Sequence, residues 1–74
     1  MGRLRVMSGR EICRLLALHG FREMRQRGSH LVMQKAFNDS TITVPVPLND
    51  TVHIGTLQSI IRQSGLQRSV FEEK

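Results

Sequence analysis

Gly28-Ser29-His30 lies between two strand-like runs that carry arginines, and these are the residues of the chain best suited to chemistry. Gly at the first loop position supplies the positive φ of a type II′ turn, and Ser can follow it. A Gly28-Ser29 loop sets Arg27 opposite His30 and Arg25 opposite Val32 on one face of a hairpin. Imidazole moves a proton near neutral pH, whereas guanidinium stays charged and holds anionic oxygens. The combination suits a phosphodiester, with His30 as general base and Arg27 or Arg25 stabilising the phosphate oxygens. Spacing alone favours the plainer reading, a partly exposed histidine that merely ends a hairpin.

The other candidates are weaker. His19 falls on the apolar stripe of a helix near its C-terminus, which marks it as structural. His53 sits in a polar loop before a helix, where an RNA contact is open to it. The three histidines have no ligand-like spacing and one cysteine cannot build a thiolate cluster, so no metal site is expected. Cys13 lies on a helix and reads as packing. No glycine-rich phosphate loop and no nucleophile elbow occur. Trp and Tyr are absent, and Phe21, Phe37 and Phe71 read as core, which argues against base stacking as the mode of readout.

The elements that position these residues follow from local signals. Ser8 and Glu11 fit a capping box, and Met7 and Ile12 a hydrophobic staple. Ile12, Leu15, Leu16 and His19 recur at helical spacing, and Gly20 stops the helix. Arg10 and Arg14 lie one turn apart, away from that stripe. Residues 21–27 and 30–37 form the hairpin. Counting outward from its turn, Gln26 opposes Leu31 and Met24 opposes Met33, with Phe37 of the same parity. This mostly apolar face meets the helices, while Arg25, Arg27, His30, Val32 and Gln34 share the other. Phe21 has the wrong parity for the core, so the strand begins just after it.

Asn38-Asp39-Ser40 is turn chemistry. Residues 41–46 alternate as a third strand with Ile42, Val44 and Val46 inward. Pro45 cannot donate to a ladder and marks an edge strand or a strand end. Pro47 through His53 is a loop. A second amphipathic helix begins near Gly55-Thr56 and carries Leu57, Ile60 and Ile61. It stops at Ser64-Gly65, where Ile61 and Leu66 fit a Schellman contact. A last helical turn at 68–73 anchors through Val70 and Phe71. The order is α-β-β-β-α, an α+β domain with a three-stranded antiparallel sheet, helices on one face and the other face open.

Composition bounds the rest. The 74 residues read as a single domain, 1–74, with a small core, since a chain of this size buries only about 60% of its unfolded surface. A hydrophobic content of 39% is too high for a disordered tail. One cysteine permits no internal disulfide and fits a reducing, cytoplasmic setting. No apolar run approaches the ~18 residues of a membrane span. The start has no apolar signal-peptide segment, and Val6 stands where a myristoylation signal needs Ser or Thr. The net charge of +5 is uneven, because residues 1–35 carry all but three of the Lys and Arg residues against Glu11 and Glu23 only. A basic half favours a polyanion through counterion release, or an acidic protein surface.

Ser8-Gly9-Arg10-Glu11, Leu15-Leu16, Gly20-Phe21, Arg25-Gln26-Arg27-Gly28-Ser29-His30, Val44-Pro45-Val46, Gly55-Thr56-Leu57 with Ile60-Ile61, and Gly65-Leu66 with Phe71 form an ordered series. Their order and spacing resemble the HicA toxins of bacterial type II toxin–antitoxin pairs. The resemblance implies a double-stranded-RNA-binding-domain-like fold. It also implies ribosome-independent mRNA cleavage by the histidine of the Gly-Ser-His motif, here His30, and a HicB-type antitoxin that covers the site. With His30 as catalytic residue go Arg25, Arg27, Gly28, Ser29 and Lys35 as RNA-binding residues, and neither a metal nor a small-molecule cofactor. The chain departs from the family pattern in two places. Many members carry a histidine soon after the Val-Pro-Val segment, where this chain has Pro47 and Leu48. The stretch from Leu48 to His53 lacks the lysines usual there. The resulting expectation is a metal-independent endoribonuclease toxin. A non-catalytic RNA-binding module and a protein-interaction domain with a basic face are the alternatives.

Overall fold

Ser8 opens the first helix, α1 (Gly9–Leu18), through both halves of the capping box: its hydroxyl accepts the Glu11 N–H at 3.1 Å, and its own N–H donates to the Glu11 carboxylate at 2.8 Å. Hydrogen bonding to the carboxylate, from the Ser8 N–H foremost and then from the Ser8 side chain, holds the Glu11 carboxyl below its ordinary range. A lowered folded-state value means the contribution is present above the unfolded value and is lost as pH falls through the folded one. The helix ends as a Schellman motif, with Phe21 N–H on Leu16 O at 3.1 Å, Gly20 N–H on Ala17 O at 3.2 Å, and Gly20 at φ +95°. A computed structural model describes residues 2–73; the expected domain limits Met1 and Lys74 lie outside the described residues.

The hairpin forms as expected, from β1 (Arg22–Arg27) and β2 (His30–Phe37), followed by β3 (Ser40–Pro47). The sheet is antiparallel in the order β1-β2-β3. Asn38, at φ 54°, carries the second turn. As an edge strand, β3 has one side without a strand partner, where Pro45 costs no ladder bond. The second helix, α2 (Ile54–Ser64), ends at left-handed Gly65. Its stop differs from a plain Schellman bond. The buried Ser64 hydroxyl donates to Ile61 O at 2.8 Å and accepts the Leu66 N–H at 3.1 Å, relaying the connection. A short 3-10 turn (Arg68–Phe71) buries Phe71 completely.

Ile12 and Leu16 of α1, Leu31 and Met33 of β2, Val44 and Val46 of β3, and Leu57 and Ile60 of α2 form one buried cluster. Both helices therefore cover the same face of the sheet and leave the other open. This is the α-β-β-β-α arrangement of a double-stranded-RNA-binding-domain-like fold. No helix among the described residues is long and apolar enough to cross a membrane.

Three expectations change. Met24 does not oppose Met33: Glu23 does, and Met24 is the extra residue of a bulge, 54% exposed. A bulge sets two residues of one strand against one of its partner, so parity reverses upstream of it. Phe21 thereby turns inward and is buried. Phe37 has core parity but is 56% exposed, because it ends β2 at the turn where no helix covers it. Residues 2–7, given no element from sequence, run alongside the C-terminal residues. Leu4 bridges Glu72, Arg5 N–H reaches Phe71 O at 2.9 Å, and Glu73 N–H reaches Arg3 O at 2.8 Å.

Among the glycines, Gly9 leaves the least room for a side chain. Its N–H donates to Asn49 O at 2.9 Å. A Cβ built there would overlap the Pro47 carbonyl oxygen and stand 2.8 Å from the Leu48 Cα. Both obstacles are backbone and cannot rotate away. Gly9→Ala is expected to cost about 1–3 kcal/mol as an overpacking change. Ser8→Ala, which loses only the cap, should cost about 1 kcal/mol. Thermal melts of the two variants check this, and a Gly9→Ala protein as stable as wild type would contradict the contact.

Candidate nucleic-acid interface

The open face of the sheet is a grid of three rows. Strand pairing puts Arg27, His30 and Pro47 in the first row and Arg25, Val32 and Pro45 in the second. Arg22, Gln34 and Thr43 make the third, where Gln34 Nε2 donates to Thr43 Oγ1 at 3.2 Å. Directly opposed residues on one face hold their Cβ atoms about 4.5–5.5 Å apart, so the Arg27 guanidinium and the His30 ring share one patch. Both residues are exposed, and among the described residues the His30 ring has no hydrogen-bonding partner. Val32 is buried although it lies outside the core cluster, so the side chains around it on this face cover it.

The turn that presents His30 is built as the sequence predicts. Gly28-Ser29 is the two-residue loop, Gly28 has φ +59°, and Ser29 is not among the residues of positive φ. Two contacts hold the loop. Gly28 O accepts from Gln26 Nε2 at 3.1 Å, and Ser29 O accepts the Leu48 N–H at 2.7 Å. Leu48 is the residue whose backbone lies against Gly9. The first turn of α1 thus holds the loop after β3, and that loop holds the turn before His30.

Lys35 stands apart from the other expected RNA-binding residues. It shares parity with Leu31 and Met33 and faces the helices. Its Nζ donates to His19 O at 2.9 Å and lies 5.8 Å from the Phe21 ring centroid. A cation there satisfies a carbonyl at the negative end of α1. His19 is the C-cap of α1, consistent with its structural reading. His53 is the N-cap of α2, with Nδ1 accepting the Gly55 N–H at 3.3 Å. That bond commits it to the helix rather than leaving it free in a loop. The three histidines occupy separate places, and among the described residues no group of three His, Cys, Asp or Glu side chains could share a metal ion.

The site residues missed from sequence are Arg22 and Glu23. The bulge at Met24 turns Arg22 onto the open face and Glu23 toward α1, where it lines a concavity with Arg10, Cys13 and Arg14. Burial pushes the Cys13 thiol up to about 11, and the Glu23 charge adds to the shift. A thiol so raised is a poor nucleophile at neutral pH. The available sign of the bulge was Phe21, a large apolar residue out of step with its own strand.

The fold is a small α+β domain that presents one histidine among arginines on an open sheet face. The family model described as the HicA toxin of bacterial toxin–antitoxin systems matches residues 9–66, and the chain belongs to that family. It is accordingly a toxin of a toxin–antitoxin system, and an antitoxin is its implied partner. Comparison with curated protein sequences finds no match.

Gly28 tests how the turn presents His30. No atom lies within 4 Å of a Cβ placed on it, so its need for glycine is one of backbone conformation alone. Gly28→Val should strain the turn by about 1–3 kcal/mol, whereas Gly28→Asn, which tolerates positive φ, should cost less. Equal melting temperatures for these two variants would remove the conformational argument.

Proposed function

We propose that this toxin is an endoribonuclease that cleaves mRNA without a metal, using His30 as general base. The observation that supports the reading is the exposed, unpaired His30 ring beside Arg27, with Arg25 one row away. In the reaction, neutral His30 takes the proton of a ribose 2′-hydroxyl. The 2′-oxygen bonds to the adjacent phosphorus, and the bond from phosphorus to the 5′-oxygen breaks. Protonated His30 or water returns a proton to the leaving 5′-oxygen. The products are a 2′,3′-cyclic phosphate and a 5′-hydroxyl end. Arg27 and Arg25 hold the negative charge that grows on the phosphate oxygens. Ser29 lies near enough in sequence to add a hydrogen bond to phosphate, and Gly28 leaves the backbone open to RNA. Lys35 takes no part in this reading.

Purified protein is expected to cleave single-stranded RNA in excess EDTA, leaving 2′,3′-cyclic or 3′-phosphate ends. RNA left intact by EDTA but cut on adding magnesium would overturn the mechanism. Intact RNA in both conditions would point to a binding module instead. His30→Ala should abolish cleavage while changing stability by less than about 1 kcal/mol, since the residue is exposed. Full activity in that variant would remove His30 as the base.

The antitoxin in this reading is of the HicB type, acidic where it meets the open face, and it buries His30, Arg25 and Arg27. Added salt should slow its association, because screening weakens long-range attraction. A complex that leaves the whole face uncovered would contradict direct occlusion of the site.

A further inference from the structure

The bulge at Met24 has a consequence for charge. In an unbroken β1, Glu23 would share a face with Arg25 and Arg27, and Arg22 would point to the helices. The observed register reverses this: Arg22 pairs with Gln34 and joins the face of His30, while Glu23 pairs with Met33. Glu23 instead lines the concavity with Arg10, Cys13 and Arg14 on the helical side. One extra residue thus removes the single carboxylate from β1's open face and adds a third guanidinium. Every residue of β1 is exposed, and among the described residues the one ion pair, Arg68 with Glu72, involves none of these arginines.

The three rows also set a spacing. Successive same-face positions on a strand are about 6.6–6.8 Å apart, comparable to the step between consecutive phosphates of an extended single strand. We propose that Arg22, Arg25 and Arg27 form a phosphate-tracking rail along β1, that the RNA backbone follows this edge, and that Arg22 holds a phosphate two steps from the one at His30. The bulge at Met24 is the device that places Arg22 there. This inference rests on the reading of the open face as an RNA interface.

The test measures binding of a short fluorescent single-stranded RNA to His30→Ala protein across a salt series. Adding Arg22→Gln should weaken binding several-fold and lower the salt slope by about 0.7, the value for one phosphate contact on a single strand. Exchanging the charges, Arg22→Glu with Glu23→Arg, should lower affinity further, because it puts a carboxylate in the row that Arg22 holds. Deleting Met24 closes the bulge but leaves Arg22 opposite Gln34 and Glu23 opposite Met33, so it should keep the parental slope. Arg22 is exposed, so Arg22→Gln keeps the test decisive even if the deletion does not fold. Unchanged affinity and slope in Arg22→Gln would overturn this inference alone. No RNA binding by the His30→Ala or wild-type protein would overturn the RNA reading and this inference together.

Discussion

Gly9 presses the first turn of α1 onto the backbone that leaves β3, and the contact leaves no space for a side chain. From it a short series of backbone bonds runs to the site. Gly9 N–H holds Asn49 O, and Leu48 N–H holds Ser29 O, one residue before His30. Segments far apart in sequence are joined by main-chain groups, whose positions vary little. His30 therefore needs no partner of its own to be positioned. Its ring stays exposed and uncommitted while its backbone is held between β1 and β3. A reactive group on a rigid support loses little entropy when it meets a substrate.

The sheet separates two electrostatic settings. On the helical side, Lys35 closes the C-terminal end of α1, and Glu23 lines one concavity with Arg10 and Arg14, a carboxylate in a basic setting. On the open side, Arg22, Arg25 and Arg27 stand in water without carboxylate partners among the described residues. Mutual repulsion between such cations costs little, because water weakens it roughly twentyfold relative to a dry interior. The same cations attract a polyanion, since displaced counterions add to the gain on binding. The fold thus keeps its charge available on the face where the candidate base stands.

The core extends beyond the span that matches the family model. Leu4, Met7 and Phe71 lie outside residues 9–66 and are buried with the rest. The two terminal segments pair with each other, and Val52 N–H bonds Met7 O at 2.8 Å. A domain of this size has few apolar side chains to bury, and those of the flanking segments matter correspondingly more. Arg68 and Glu72 add an ion pair at the surface of that junction.

Much of the architecture was legible because it rests on neighbours in the chain. The Ser8–Glu11 box, the Gly20 and Gly65 stops and the Gly28-Ser29 turn are fixed within a few residues. Once the turn is placed, strand period alone sorts Arg25, Arg27 and His30 to one face. Lys35, expected to bind RNA, has the parity of Leu31 and Met33, and the structure ties it to the end of α1 instead. What tertiary structure decided depends on two segments meeting. The Met24 bulge exists only as a mismatch between β1 and β2, so residue types along β1 could not locate it, and Phe21 alone hinted at it. His53 became a cap because α2 starts one residue beyond it. The pairing of residues 2–7 with the C-terminal tail joins segments far apart in the chain, which no local signal marks. Local hydrogen bonds and periodicity are written in short spans of sequence, but register and long-range pairing are settled only when distant segments compete for the same backbone partners and the same buried space.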